Sequence, residues 1–284
     1  MMKAPEKILL FIFCLCLLPV HVVHASPDDK PLIFGFLPSR SPVTLFRHYQ
    51  PLVDYLAEKL DRKIIMETAV DYPKFLLKTD NRHYDFVLTA PHFALLAIDS
   101  GKYSAPITYT KGLMADILVK KDSPITGIEQ LVGKTISTPP DSAIISMAGK
   151  YYISQLGLNR SKAPQYRVTR SHNDSVHAML AGDADASIAS FNVTRQFLRK
   201  NIPVRKIADT GMLPGMAILI ARNLPHKLRV SFIQTLVSMD NEPKGKEALN
   251  KMGYSGYRRS RNNEFELARP YIRSYKESLS KGKD

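Results

Sequence analysis

Polar side chains that could hydrogen-bond a small solute follow several predicted strands of this 284-residue chain. In open α/β sheets, ligands bind beyond the carboxyl ends of the strands, where the N-termini of the following helices point outward. The residues at such positions are Ser39, Ser41, Thr89, His92 and Ser190. Their hydroxyl and imidazole groups predict a binding site for a small polar solute at these strand ends.

Three patterns that would indicate catalysis or metal binding fail on spacing. The glycines of GIEQLVGKT (127–135) stand one residue too far apart for a phosphate-binding P-loop, and a predicted strand follows. His172 and His177 lack a common metal-ligand spacing. Asp141, Ser142 and His172 lack the nucleophile elbow that presents a catalytic serine. We therefore expect no catalytic residue, no metal and no cofactor, and predict that the protein is not an enzyme.

The first 25 residues have the composition of a cleaved secretory signal peptide. Two lysines precede an uninterrupted apolar run over residues 8–20, too short to span a bilayer, and residues 23–25 offer small residues for signal peptidase. The chain's two cysteines, Cys14 and Cys16, lie in this run, so the mature protein has no thiol. We expect a periplasmic monomer.

The chain is strongly basic, with 40 Lys and Arg residues against 26 Asp and Glu and a net charge of +14. This balance often indicates nucleic-acid binding, but an exported protein has no access to that partner. A small anion, an anionic membrane surface or simple solubility remain as interpretations.

Strand patterns alternate with helical periodicity and begin again after residue 114. Leu45, Tyr49, Leu52 and Leu56, for example, recur at three- and four-residue spacing after the first apolar segment. Successive strand–helix units indicate α/β architecture with parallel, doubly wound sheets. A helix is predicted from about residue 142 to 155, ending at Gly157.

Two such groups of units predict two lobes joined by hinge crossovers. Residues 26–114 form the first part of lobe 1, residues 115–212 form lobe 2, and residues 213–284 return to lobe 1 with a helical C-terminal tail. We place the crossings near residues 115–120 and 209–217. Two facing sheet edges suit a clamp that closes on a small solute.

Ordered segments along nearly the whole chain resemble the phosphate/phosphite/phosphonate-binding components of ABC importers, a branch of the type II periplasmic-binding-protein fold. The segments are FGFLP (34–38), PLVDYL (51–56), DY (71–72), DFV (85–87), KDSPI (121–125), LVGKT (131–135), SH (171–172), AGDADA (181–186) and GY (253–254). The resemblance implies a periplasmic binding protein that takes a small oxyanion and serves an ABC permease.

The resemblance also implies site residues. The family binds its oxyanion with hydroxyls, backbone N–H groups at a lobe 2 helix, a tyrosine and a histidine. The matching residues here are Ser142, Ala143 and Ile144 at that helix, with Tyr72 and His172. Only Ser142 keeps a hydroxyl in the turn, and Ser190 replaces an acidic residue that the family often carries.

A second function stays open. Residues 85–93 (DFVLTAPHF) look more like the periplasmic sensing domains of some bacterial histidine kinases. The alternative is therefore a periplasmic sensor that binds a ligand other than phosphonate and signals to a membrane histidine kinase or cyclase.

Overall fold

The computed structural model describes residues 30–155, 163–261 and 263–274. The predicted signal peptide and Gly157 lie outside these residues. Within the described ranges, no helix has the length and apolar character needed to cross a membrane.

Strands and helices alternate through most of the described chain. The strands are β1 (Leu32–Phe36), β2 (Ile64–Glu67), β3 (Phe86–Thr89), β4 (Tyr103–Tyr109), β5 (Ala115–Lys120), β6 (Thr135–Thr138), β7 (Gln165–Val168), β8 (Ala186–Ser190), β9 (Val204–Asp209), β10 (Ala217–Ala221) and β11 (Tyr257–Arg259). The α-helices are α1 (Pro42–Leu60), α2 (Tyr72–Asp80), α3 (Pro91–Asp99), α4 (Ile144–Ser154), α5 (His172–Ala181), α6 (Phe191–Arg199), α7 (His226–Val237) and α8 (Pro243–Met252).

The strands form two sheets. The first has the order β11-β4-β10-β3-β1-β2 and the second has the order β7-β6-β8-β5-β9. Helices cover both faces of each sheet, which confirms the α/β, doubly wound class. The parallel pairing predicted from the first three strand–helix units is confirmed for β1, β2 and β3, but the sheet is mixed, since β10 is antiparallel to β3 and β4. In the second sheet, β5 is likewise antiparallel to β8 and β9.

Apolar periodicity explains how the helices attach to the sheets. In α1, the side chains of Leu45, Tyr49, Leu52 and Leu56 are buried on one face and pack with the phenylalanines of β1. The helix begins at its N-cap Ser41 and ends at Asp61, whose φ of 50° is left-handed. Gly182 closes α5 in the same way with a φ of 91°, as its position after the periodic segment indicates.

Two extended segments connect the sheets. The second matches the predicted crossing near residues 209–217, and the first differs from the one predicted near residues 115–120. The chain leaves the first sheet after β4 and returns before β10, so the crossings are residues 110–114 and 210–216. Leu113 and Leu213 pair across them as an antiparallel bridge. Residues 115–120 are instead strand β5, which is hydrogen-bonded on both sides within the second sheet.

The expectation of a helical C-terminal tail is also incomplete. Helices α7 and α8 are present, but β11 then adds an edge strand to β4. A 3₁₀ turn at Glu264–Ala268 follows, in which Phe265 packs in the core of the first sheet and Ala268 in that of the second. Strand β4 (YSAPITY) escapes prediction because Pro106 lies within it, and a proline inside a run argues against a strand. Strand β11 (YRR) has three residues, which are too few to show an alternation.

Candidate functional site

A cavity of about 230 Å³ lies between the two sheets, and both contribute to its wall. From the side of the first sheet, the lining residues are Leu37, Ser39, Arg40, Tyr49, Tyr72, Ala90, His92, Phe93 and Tyr254. From the second sheet and the crossings they are Leu113, Ser142, Ala143, Ile144, Ile145, His172, Ser190, Asn192 and Met216. Eight of the ten residues predicted from the sequence are in this wall.

The N-termini of six helices converge on the cavity. Each of α1 to α6 has a lining residue at its start or within three residues before it. The lining residues that mark these helix starts are Arg40, Tyr72, Ala90, Ala143, His172 and Ser190. Because backbone N–H groups and the positive end of the helix dipole meet at an N-terminus, this arrangement favours a bound anion.

Three of these six helices carry no side-chain cap. Ser41, Asp71 and Ser171 accept hydrogen bonds from backbone N–H groups of α1, α2 and α5, respectively. No side chain does so for α3, α4 or α6, whose N-cap residues are Ala90, Ala143 and Ser190. All three uncapped N-caps line the cavity. The Phe191 N–H of α6 already donates to the Met114 carbonyl at 3.0 Å, so the other first-turn donors of these helices are the ones an anion could satisfy.

Helix α4 starts two residues later than the sequence predicts. Its first residue is Ile144 and its N-cap is Ala143, so Ser142 precedes the helix. The carbonyl oxygen of Ser142 accepts a hydrogen bond of 3.1 Å from Nε2 of His92. Since Ala143 has an extended backbone (φ −79°, ψ 133°) and no capping side chain, the first N–H groups of α4 stay open to a ligand.

His92 is buried at the start of α3 and is held in one tautomer. A carbonyl can only accept, so Nε2 carries the proton and Nδ1 does not. Burial lowers the pKa of His92 to about 4, against a smaller opposing effect of the Ser142 hydrogen bond. Its Nδ1 is buried without a hydrogen-bond partner. The ring is therefore neutral at neutral pH.

His172 and Tyr72 face the cavity from opposite sheets as the first residues of α5 and α2. Burial lowers the pKa of His172 to about 4, so this ring is also neutral at neutral pH. Burial raises the pKa of Tyr72, whose hydroxyl therefore stays protonated. Both side chains can offer a neutral hydrogen bond but no charge.

Ser41 and Thr89 do not line the cavity. The Ser41 hydroxyl accepts from the Thr44 N–H at 3.4 Å and donates to the Thr44 hydroxyl at 2.9 Å, capping its own helix. Thr89 is buried at the end of β3, and its hydroxyl oxygen has no hydrogen-bond partner. Because strand side chains alternate, Thr89 shares its face with Val87, which packs in the core beneath α3.

Sequence reasoning missed Arg40, the only charged residue in the described wall of the cavity. Its side chain is exposed, and no hydrogen bond or ion pair engages it within the described chain. It stands beside Ser39, after the strand whose end already predicted a binding residue. That position was the available signal.

A tyrosine network beside Arg40 was also missed. The Tyr49 hydroxyl shares hydrogen bonds with those of Tyr254 (3.0 Å) and Tyr109 (3.3 Å), and Tyr254 shares one with Nε2 of His48 (3.1 Å). Burial raises the pKa of Tyr49, so its hydroxyl stays protonated. Tyr49 and Tyr254 come from distant segments, and only the fold brings them to the same wall.

A larger surface groove of about 510 Å³ is a poorer anion site. It lies against Tyr151, Ser154 and Gln155 at the C-terminal end of α4, where the helix dipole is negative. One of its two lining arginines, Arg269, already forms two hydrogen bonds with Asp99, at 2.9 and 3.0 Å, and the acidic Glu266 also lines the groove. The cavity between the sheets is therefore the candidate site.

Two α/β units, joined by two extended crossings around a cavity where helix N-termini converge, define a solute-binding protein of the type II periplasmic class. The chain matches the family described as "ABC transporter, phosphonate, periplasmic substrate-binding protein" over residues 34–265. It therefore belongs to this family of periplasmic phosphonate-binding components of ABC transporters. Membership favours import over the sensing role.

Individual relatives are distant in sequence but similar in fold. The "Phosphonates-binding periplasmic protein" of Escherichia coli K12 is 21% identical over 253 residues, covering 84% of this chain and 74% of its own length. A binding component of an ABC phosphonate transporter from Pseudomonas aeruginosa superposes with a TM-score of 0.71 at 15% identity, covering 87% of this chain and 88% of its own. PhnD1 of Prochlorococcus marinus, solved with methylphosphonate, superposes with a TM-score of 0.74 at 13% identity, covering 87% of this chain and 98% of its own.

Proposed function

We propose that this protein binds a phosphonate or a related small oxyanion in the cavity between the sheets and delivers it to the permease of an ABC importer. The observation that carries the proposal is the convergence of the uncapped N-termini of α3, α4 and α6 on the cavity that Arg40 also lines. Helix N-termini and arginine both select negative charge. Relatives named for phosphonate binding support the choice of anion.

The proposed ligand contacts come from both sheets. Backbone N–H groups of Ile144 and its neighbours would bind the anion directly, and Arg40 would supply the counter-charge. Hydroxyl and imidazole groups would complete its hydrogen bonds. The proposed contacts are Ser39, Arg40, Tyr72, His92, Ser142, Ala143, Ile144, His172 and Ser190. Ser41 and Thr89 are excluded because both lie outside the cavity wall.

The mechanism we propose is a clamp. Residues 26–114 and 213–284 act as one lobe, residues 115–212 act as the other, and the crossing segments 110–114 and 210–216 are the hinges. A solute first contacts one lobe, and closure then adds the N–H groups of the other and excludes water. Support comes from the wall itself, since neither sheet supplies all the donors.

The proposal includes the location and partners of the protein. Residues 1–25 direct export and are removed, which leaves a monomer in the periplasm. Its partners are then the small anion and the membrane permease, and not nucleic acid. The strongly basic composition fits an anionic solute.

A binding screen of the purified protein tests the function. Phosphate, methylphosphonate, sulfate, acetate and the neutral sugar glucose would be compared by thermal shift and then by calorimetry. A ligand at 100 times its Kd should stabilise the protein by about 2.7 kcal/mol. Stabilisation by glucose and by none of the anions would contradict the proposed function.

A further inference from the structure

Several apolar side chains line the cavity beside its polar groups. Leu37 and Phe93 contribute from the first sheet, Ile145 from the second, and Leu113 and Met216 from the two crossings. Leu37, Phe93 and Ile145 are almost fully buried. A ligand that fills this space must place an apolar group against these side chains, because burying a charged group there would remove it from water without a partner.

No carboxylate lines the described cavity wall, so a positive group on the ligand would meet no counter-charge. Two acidic residues next to lining residues are already engaged. Asp141, beside Ser142, pairs with Lys150 at 2.5 Å, and Asp71, beside Tyr72, caps α2 through a 2.7 Å hydrogen bond from the Lys74 N–H. The one charged lining residue, Arg40, would repel an ammonium group.

The aromatic rings of the wall do not replace the missing carboxylate. Ring faces can attract cations when they are open. Here the Tyr49 ring stacks between Phe36, at 4.8 Å, and Tyr254, at 6.3 Å, while the Tyr72 ring packs on Phe93 at 5.8 Å. Neighbouring rings therefore cover both faces of Tyr49, and Phe93 occupies one side of the Tyr72 ring.

We propose that the ligand is a small oxyanion with an uncharged apolar substituent, and that the cavity discriminates against anions that also carry an ammonium group. This inference rests on the proposed function and narrows its ligand class. A cavity of about 230 Å³ is below the range of about 300–1,000 Å³ typical of drug-sized ligands. The substituent is therefore short, such as an alkyl chain of a few carbons.

Two phosphonates of nearly equal shape test this specificity. Propylphosphonate and 2-aminoethylphosphonate differ only in a terminal methyl or ammonium group. We expect propylphosphonate to bind at least about tenfold more tightly by calorimetry near neutral pH. Equal affinity, or tighter binding of 2-aminoethylphosphonate, would overturn the inference and leave the proposed function standing. If neither of these phosphonates binds, and phosphate and methylphosphonate also fail to bind, both this inference and the proposed function are contradicted.

A carboxylate introduced by mutation tests whether the lack of an acidic lining residue causes the discrimination against ammonium. Ser190→Asp places an acid at the cavity, and Ser190→Asn is its neutral counterpart of the same size. Aspartate and asparagine both suit the N-cap position that Ser190 holds in α6, so both variants should fold. Position 190 lines the cavity and Asp71 does not, so the second carboxylate oxygen of Ser190→Asp can meet an ammonium group there. Ser190→Asp should shift the preference toward 2-aminoethylphosphonate by about tenfold relative to Ser190→Asn. An unchanged ratio in a folded Ser190→Asp variant would show that the missing carboxylate does not set the specificity.

Discussion

The imidazole of His92 donates a 3.1 Å hydrogen bond from Nε2 to the carbonyl oxygen of Ser142. This contact joins the start of α3, on the first sheet, to the turn before α4, on the second. It also fixes the tautomer of a buried ring in the wall of the cavity. One neutral histidine therefore joins the two sides of the binding site by a hydrogen bond.

The first prediction concerns the pH dependence that this ring imposes. The pKa of His92 is about 4 in the folded protein and about 6.5 in an unfolded chain. Between these values the unfolded state binds a proton that the folded state does not, so stability is lost as the pH falls from 6.5 to 4. A pKa shift of this size lowers the free energy of unfolding by about 3 kcal/mol over this pH interval.

Urea unfolding at pH 7 and pH 4.5 would measure this loss. His92→Gln keeps a side-chain donor but cannot titrate, so its stability should fall less over the same interval. Parallel pH profiles for the parent and His92→Gln would rule out His92 as the source. His172→Gln, which removes another histidine whose pKa is lowered by burial, provides a comparison.

The second prediction tests the N-terminus of α4. Ile144→Pro removes the first N–H of the helix, at a position where proline's φ is compatible and where the extended Ala143 tolerates a following proline. We expect oxyanion affinity to fall about ten- to a hundredfold, because a charged hydrogen bond is lost. Ile144→Ala is the control: it also loses the buried side chain but keeps the N–H. Equal affinity of the two variants, measured by calorimetry with methylphosphonate, would contradict a role for this donor.

The third prediction tests Arg40 as the counter-charge. Arg40→Gln should weaken methylphosphonate binding by about tenfold and reduce its salt dependence, since the residue lines the cavity and has no hydrogen-bond or ion-pair partner among the described residues. Arg47→Gln is the matched control, because Arg47 is an exposed residue of α1 outside the cavity wall. Similar affinities for the two variants across a salt series would show that Arg40 acts only through the general basic charge.

The fourth prediction concerns the C-terminal segment. Arg258 of β11 donates two hydrogen bonds to the Glu264 carboxylate, at 2.9 and 2.5 Å, and the Glu264 side chain is only 8% exposed. Glu264→Gln should therefore lower the free energy of unfolding by about 1–3 kcal/mol. Glu247→Gln breaks the exposed pair with Lys251 and should have little effect. Equal denaturation midpoints for both variants would show that the Arg258 pair adds no stability.

Local patterns determined the class of protein and many of the binding positions. The spacing of Leu45, Tyr49, Leu52 and Leu56 predicts α1 because a single buried face repeats with the helical period. Residues after strands, such as Ser39 and His92, were predicted to bind a ligand because parallel strands direct their carboxyl ends to the same edge. That reasoning needs only local sequence and the general geometry of α/β sheets.

Tertiary structure alone decided which of these residues share the cavity. Whether Thr89 lines the cavity depends on which face of β3 carries its side chain, and the structure buries that side chain. The Ser41 hydroxyl accepts a hydrogen bond from the Thr44 N–H and does not line the cavity. Tyr49 and Tyr254 lie far apart in the chain and meet only through the packing of α1 against the segment that follows α8.

The sequence by itself therefore determined the α/β architecture, the strand–helix units and the family resemblance, because these follow from periodicity and ordered motifs. The lateral order of strands was decided only in three dimensions: β10 lies between β3 and β4, and β5 belongs inside the second sheet. Such pairings depend on contacts between residues distant in sequence, which no local pattern encodes. The start of α4 at Ile144 and the exposed, unpaired Arg40 depend on the same long-range packing.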